Sequence, residues 1–284
     1  MKSLEQYITE KLKIQKNTIK KSENTLVPET KEELYDMIKD EIKKNGYECS
    51  LNHIDVSGID DMSDLFSKHS LQYFDGDISK WDVSYVENMN NMFLNSRFTG
   101  KNGDITEWDV SSVKTMEAMF ANSKFTGNIS EWDVSSVTNM KVMFMNSEFD
   151  GDISKWDVSS VKDMSVMFIN STYTGKNGGI SEWDVSNVTD MSGMFTLAKF
   201  TGDISKWNVS SVTTMRGMFM NSEFDGDISD WDVNKVKDMY SMFKKSKFAG
   251  NLSNWKINKN VDTNEMFDES PLKSKKEFWP KALQ

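Results

Sequence analysis

ISEWDVSSVTNMKVMFMNSEFDGD, residues 129–152, is the stretch on which the fold turns. It returns along the chain with little drift. Its Trp recurs at 81, 108, 132, 156, 183, 207, 231 and 255, at spacings of 24 or 27 residues. Both 27-residue spacings contain the same kind of insertion, Lys101-Asn102-Gly103 in one and Lys176-Asn177-Gly178 in the other. An earlier copy, with Ile54 in place of Trp, opens at Leu51, so nine units run from Leu51 to Phe267. One such unit cannot bury its own apolar face, and repetition at this period is the signature of units that stack.

Each unit holds two spacings. Ile78, Trp81, Val83 and Val86 follow I-x-x-W-x-V-x-x-V, which matches the leucine-rich frame. The W-x-V alternation predicts a strand with one buried face. Met89, Met92 and Phe93 then follow i, i+3, i+4, the spacing of a short helix face. Phe98-Thr99-Gly100 closes the unit with a turn. The expected fold is therefore an α/β repeat solenoid, a leucine-rich-repeat-like right-handed stack of strand–short helix coils with a helical N-terminal cap.

The chain divides accordingly. Residues 1–21, with Leu4, Tyr7, Ile8 and Leu12, suit an amphipathic helix, and 22–29 reads as a linker. Thr30 and Glu33 form a capping-box signal for a cap helix over 30–46, with Leu34, Met37, Ile38 and Ile42 on one face. The repeats occupy 47–267. In the tail, 268–284, Phe278 and Trp279 are expected to fold back over the last coil.

Net charge is −10 and unevenly spread: 47–267 carries −12, whereas 1–21 carries +4. An acidic surface repels nucleic-acid phosphates and favours basic partners. No apolar run approaches the ~18 residues of a membrane helix. No signal-peptide core or anchor is visible, which points to a cytoplasmic or virion-associated protein rather than a secreted one. The single Cys49 excludes an internal disulfide framework. With two His and no zinc, calcium or phosphate-loop spacing, no catalytic activity, metal or cofactor is expected.

Stacking turns each position into a column. The Trp and Met columns are expected in the core. The Asn column (Asn95, Asn122, Asn146, Asn170, Asn221) is expected to bond backbone amides in turns, and it breaks at Leu197. The acidic column Asp82, Asp109, Asp133, Asp157, Asp184 and Asp232, with Asp55 before it, lies between an inward Trp (or Ile54) and an inward Val, and strand alternation sends it outward. Ser84, Ser111, Ser135, Ser159, Ser186 and Ser210 share that face. Neighbouring like charges there would repel, and something must offset this. Local serines and Lys80, Lys155 and Lys206 are one answer; a basic protein segment is the other, with bound Ca²⁺ a lesser form of it. Glu107, Glu131 and Glu182, at the position before Trp, leave some rungs without lysine. The candidate partner-binding set is therefore these Asp, Ser and Glu residues, on a non-catalytic protein-interaction module. A carbohydrate or cell-surface adhesin that takes a glycan, and a structural virion protein, are the alternatives.

The repeated W-D-V-S-S-V-x-x-M-x-x-M-F-x-N-S-x-F-x-G-D-I-S resembles the BspA-like leucine-rich-repeat surface proteins, including the Mycoplasma-type lipoprotein repeats of unknown function. The resemblance covers roughly 51–267. It implies a solenoid with roles in adhesion or protein binding, often at bacterial surfaces.

Overall fold

The computed structural model describes residues 25–284. The helix expected at 1–21 and the start of the 22–29 linker lie outside the described residues.

In the quoted unit the chain turns repeatedly. Trp132 N–H donates to Ile129 O at 3.3 Å, Val137 to Val134 at 2.9 Å, Met143 to Met140 at 3.2 Å, Met145 to Val142 at 3.0 Å and Ser147 to Phe144 at 3.2 Å. Val142 (φ 64°) and Asn146 (φ 52°) lie in the left-handed region. The same two positions are positive in the other coils from the second onward, for example Asn91 and Asn95, Val166 and Asn170, Gly217 and Asn221, while in the first coil only Asp64 is. A left-handed residue every fourth position ends an α-helix before it starts and leaves a chain of turns.

The expected strand–short helix coils are therefore corrected. M-x-x-M-F is a run of turns, and W-x-V joins no sheet: among the described residues there are only isolated parallel bridges, a series from Asp61↔Asn88 to Asp238↔Asp262 that includes Asn139↔Asp163, with Leu26↔Ile54 and Ser50↔Asp77 besides at the N-terminal end. The leucine-rich-repeat-like fold is set aside on this ground.

The physical reason lies in where the amides point. Met140, Val142, Phe144 and Asn146 all donate to the following coil, to Asp163, Ser165, Met167 and Ile169 carbonyls at 2.9–3.0 Å. Strands in a parallel sheet both donate to and accept from the same neighbour. This row only donates forward. Thr138 N–H reaches back to Lys114 O at 2.9 Å, and the two directions meet around Asn139, which is where the bridge to the next coil falls.

Successive coils stack in register through these bonds and through their side chains. The Ile, Trp, Val, Met and Phe columns are buried along the repeats. Phe120, Phe144 and Phe168 stack at 5.9 and 5.7 Å, and Trp108 and Trp132 at 6.5 Å. Removing each such side chain from water stabilises by roughly 1.5–3 kcal/mol, and this continuous apolar column, not a sheet, holds the stack.

Helix α1, Lys31–Asn45, lies ahead of the first coil. Glu33 N–H donates to Thr30 Oγ1 at 3.2 Å, while the Glu33 carboxylate takes the Glu29 N–H at 2.8 Å, one residue earlier than a reciprocal capping box. Leu34, Ile38 and Ile42 join the core. At the other end Leu252 N–H bonds Phe278 O at 2.8 Å and Trp279 stacks on Phe267 at 4.8 Å.

Val142 is β-branched and left-handed, a combination that costs energy. Asn91 holds the same column position at φ 57° without that penalty. Val142→Asn is expected to stabilise by about 1 kcal/mol, read as a rise in Tm of ~2–4 °C by calorimetry. An unchanged or lower Tm would show that the half-buried valine's packing outweighs its strain.

Candidate binding face

The tripeptide Asx-x-Ser recurs at three places in a coil: Asp-Val-Ser after Trp, Asp-Ile-Ser before it, and Asp-Met-Ser at the bridge. Each is an Asx turn, in which a side-chain oxygen takes the amide two residues on. Asp133 Oδ1 accepts Ser135 N–H at 3.0 Å and Asp152 Oδ1 accepts Ser154 N–H at 2.8 Å. Asp163 Oδ1 accepts Ser165 N–H at 2.8 Å.

The aspartates expected on a strand face thus stand at exposed corners. Asp82, Asp109, Asp133, Asp157, Asp184 and Asp232 are all exposed. Ser84, Ser111, Ser135, Ser159 and Ser186 donate their amides to them at 3.0–3.1 Å. Ser84 and Ser111 add their hydroxyls at 2.6 Å. Ser210 serves Asn208 at 3.2 Å instead, and Asp232 is served by Asn234 at 3.1 Å. In all these bonds the acceptor is Oδ1, which leaves Oδ2 of each aspartate without a hydrogen bond among the described residues.

The glutamates divide. Glu131 pairs with Lys155 of the next coil at 2.5 Å and Glu182 with Lys206 at 2.8 Å. Lysine one coil on therefore reaches back to rungs that look unneutralised in the sequence. Glu107 is exposed and has no ion pair among the described residues.

Hydrogen bonds from Ser111 hold the Asp109 carboxyl below the ordinary carboxylate range, and those from Ser186 do the same for Asp184. The Ser205 and Ser229 amides lower Asp203 and Asp227 likewise. A carboxyl whose folded pKa is depressed stabilises the fold above its unfolded value of about 3.9, and that contribution is lost as pH falls through the folded value. The urea midpoint is thus expected to fall on acidification below about pH 4. Replacing Asp109, Asp184, Asp203 and Asp227 by Asn is expected to flatten that slope; an equally steep slope would assign it to other groups.

The Asn column does not bond backbone amides as expected. Asn122 Nδ2 donates to Asn95 Oδ1 at 3.0 Å, Asn146 to Asn122 at 2.8 Å and Asn170 to Asn146 at 2.7 Å. These are rungs of one amide ladder, on residues whose backbones are left-handed, a state Asn tolerates. Leu197 (φ 57°) keeps the backbone but ends the ladder, and is 46% exposed. The sequence shows the Asn column but not that its amides bond one another, and it does not single out the other two Asx columns. The repeated Asx-x-Ser was the signal for the columns; nothing local distinguishes a ladder from a cap.

The Trp column offers no aromatic platform. Trp81 to Trp255 are 3–4% exposed, and each indole N–H donates inward to the preceding coil, as Trp156 Nε1 does to Ile129 O at 2.9 Å. Among the described residues no cluster of His, Cys, Asp and Glu could hold a metal ion, and no helix is long and apolar enough to cross a membrane.

These features define a repeat protein of stacked, turn-built coils with regular polar columns on its surface. The chain belongs to the family described as Mycoplasma protein of unknown function, DUF285, whose model matches residues 32–124, 94–177 and 170–279. No curated protein and no solved structure matches it.

Proposed function

We propose that this protein is a non-catalytic binding scaffold whose acidic corner column takes a basic segment of a partner protein. The observation that carries the reading is the Asp column itself. Asp82, Asp109, Asp133, Asp157, Asp184 and Asp232 each commit Oδ1 to their own turn and leave Oδ2 free. The carboxylates are held in place by their turns, so binding would order few side chains. The resemblance to BspA-like surface proteins, which implies adhesion or protein binding, supports the same reading.

Asn208 supplies the control for a test. It occupies the column, takes the Ser210 amide as the aspartates take theirs, and carries no charge. Asp133→Asn with Asp157→Asn is therefore expected to keep the fold while weakening capture of a lysine-rich 20-residue peptide about 10-fold, with the wild-type affinity falling as salt rises. Titration calorimetry at two salt concentrations measures both. Equal affinity of wild type and variant, or binding indifferent to salt, would remove the acidic column from the function. A glycan array with clear hits and no peptide binding would favour a carbohydrate adhesin instead.

A further inference from the structure

One corner of the stack departs from the repeat. In coils two to eight, two residues stand between the Val after Trp and the next Val, as Ser135-Ser136 do between Val134 and Val137. In coil nine three residues, Asn258, Lys259 and Asn260, stand between Ile257 and Val261. The turn there closes one residue later: Val261 N–H donates to Asn258 O at 3.2 Å, where Val137 donates to Val134 O at 2.9 Å. By Asp262 the chain is back in register, its N–H on Lys237 O at 3.0 Å. The extra residue thus widens this corner alone, and a groove of about 530 Å³ opens between it and the corner of coil eight.

Composition changes at the same place. Ser210-Ser211 of coil seven gives way to Asn234-Lys235 in coil eight. Lys235 and Lys237 line the groove, and Lys259 sits on the widened corner. All three are exposed and form no ion pair among the described residues. No carboxylate lines the groove. Asn258 gives its Oδ1 to the Asn260 N–H at 3.2 Å, and the Nδ2 groups of Asn258 and Asn260 donate to nothing among the described residues. Val236, 1% exposed, and the half-buried Val261 supply an apolar wall.

These groups select a ligand. An extended peptide binds through free backbone amides, and those at the groove are already used: Val236 on Val233 O at 3.1 Å, Lys237 on Thr213 O at 2.8 Å and Val261 on Asn258 O. Recognition falls to the side chains. Two ammonium groups suit a carboxylate, two amide donors suit hydroxyls, and the valine wall suits the CH face of a ring. A net charge of −10 repels a polyanion and favours a ligand with one charge. We propose that the groove binds a hexuronic acid residue, a carboxylated sugar, with its carboxylate on Lys235 and Lys237 and its hydroxyls on Asn258 and Asn260. The groove lies within the range of small-molecule sites, roughly 300–1,000 Å³. The acidic column takes no part in this contact.

Ligand-observed NMR on the full chain tests this with glucuronic acid, glucose and a hexaglutamate peptide. Glucuronic acid is expected to bind with a Kd of about 1 mM, and glucose at least about 10-fold more weakly. Lys235→Gln with Lys237→Gln is expected to weaken glucuronate binding at least about 10-fold at unchanged Tm, since both side chains are exposed. Two controls are expected to leave it unchanged. Lys114→Gln removes an exposed lysine of the Lys237 column at an ordinary corner, and Asp133→Asn with Asp157→Asn disables the acidic column. No binding of glucuronic acid up to ~20 mM, equal affinity for glucose, or full affinity in the Lys235 and Lys237 variant would each overturn the proposal. So would an equal loss in Lys114→Gln, or tighter binding of hexaglutamate through the same two lysines.

Discussion

Trp156→Ala is expected to destabilise the protein by about 3–5 kcal/mol, the range for deleting a large aromatic from a packed core. Two losses combine. The first is the side chain, 3% exposed, stacked on Trp183 at 6.5 Å and beside Phe144 at 6.3 Å. The second is the indole N–H bond to Ile129 O at 2.9 Å. That carbonyl also takes the Trp132 backbone N–H at 3.3 Å, so it keeps one of two donors when the indole goes. Trp156→Phe separates the terms: it retains most of the ring and is expected to cost about 1–3 kcal/mol, the range for an unmade buried hydrogen bond. Urea unfolding measures both. Equal losses for the two variants would mean that the indole bond, and not the stacked ring, carries the column.

Gly76→Ala is expected to cost about 3 kcal/mol, at the upper end for an overpacked site. A Cβ there would lie 2.0 Å from Cys49 O and 2.7 Å from the Phe74 ring. The carbonyl cannot swing aside, because it accepts the Asp77 N–H at 3.1 Å. Gly58→Ala is the matched control. Nothing lies within 4 Å of its Cβ, and the corresponding positions of later coils hold Tyr85, Ser112 and Ser136. There the substitution is expected to stabilise by about 0.5 kcal/mol, by restricting the unfolded chain. Thermal unfolding reads the pair. Near-wild-type stability of Gly76→Ala would mean that the end of the first coil and the segment that enters it at Cys49 are not held as closely as the 2.0 Å approach requires.

How much of this was legible differs between the fold and the face. The M-x-x-M-F spacing promised a helix face, and all three side chains of the quoted unit, Met140, Met143 and Phe144, are indeed buried. Yet i, i+3, i+4 is also the spacing of overlapping turns that return every third residue to one side. The Asn that recurs at the left-handed position was a hint against a helix, since Asn favours turns over helix interiors. The acidic column was placed outside correctly, but for the wrong local reason. Strand alternation and an Asx corner both expose the residue between Trp and Val, and only the corner assigns one of its oxygens. Glu131 and Glu182 looked unneutralised because their lysines are 24 residues away in the chain.

The sequence by itself determined the repeat, its period and the set of residues that meet in the core, because burial follows from apolar side chains recurring in step. Only the tertiary structure decided the backbone path between them. An apolar pattern states which way side chains face and is silent about where the amides go. That was settled when one coil lay against the next and four alternate amides found carbonyls on the same side.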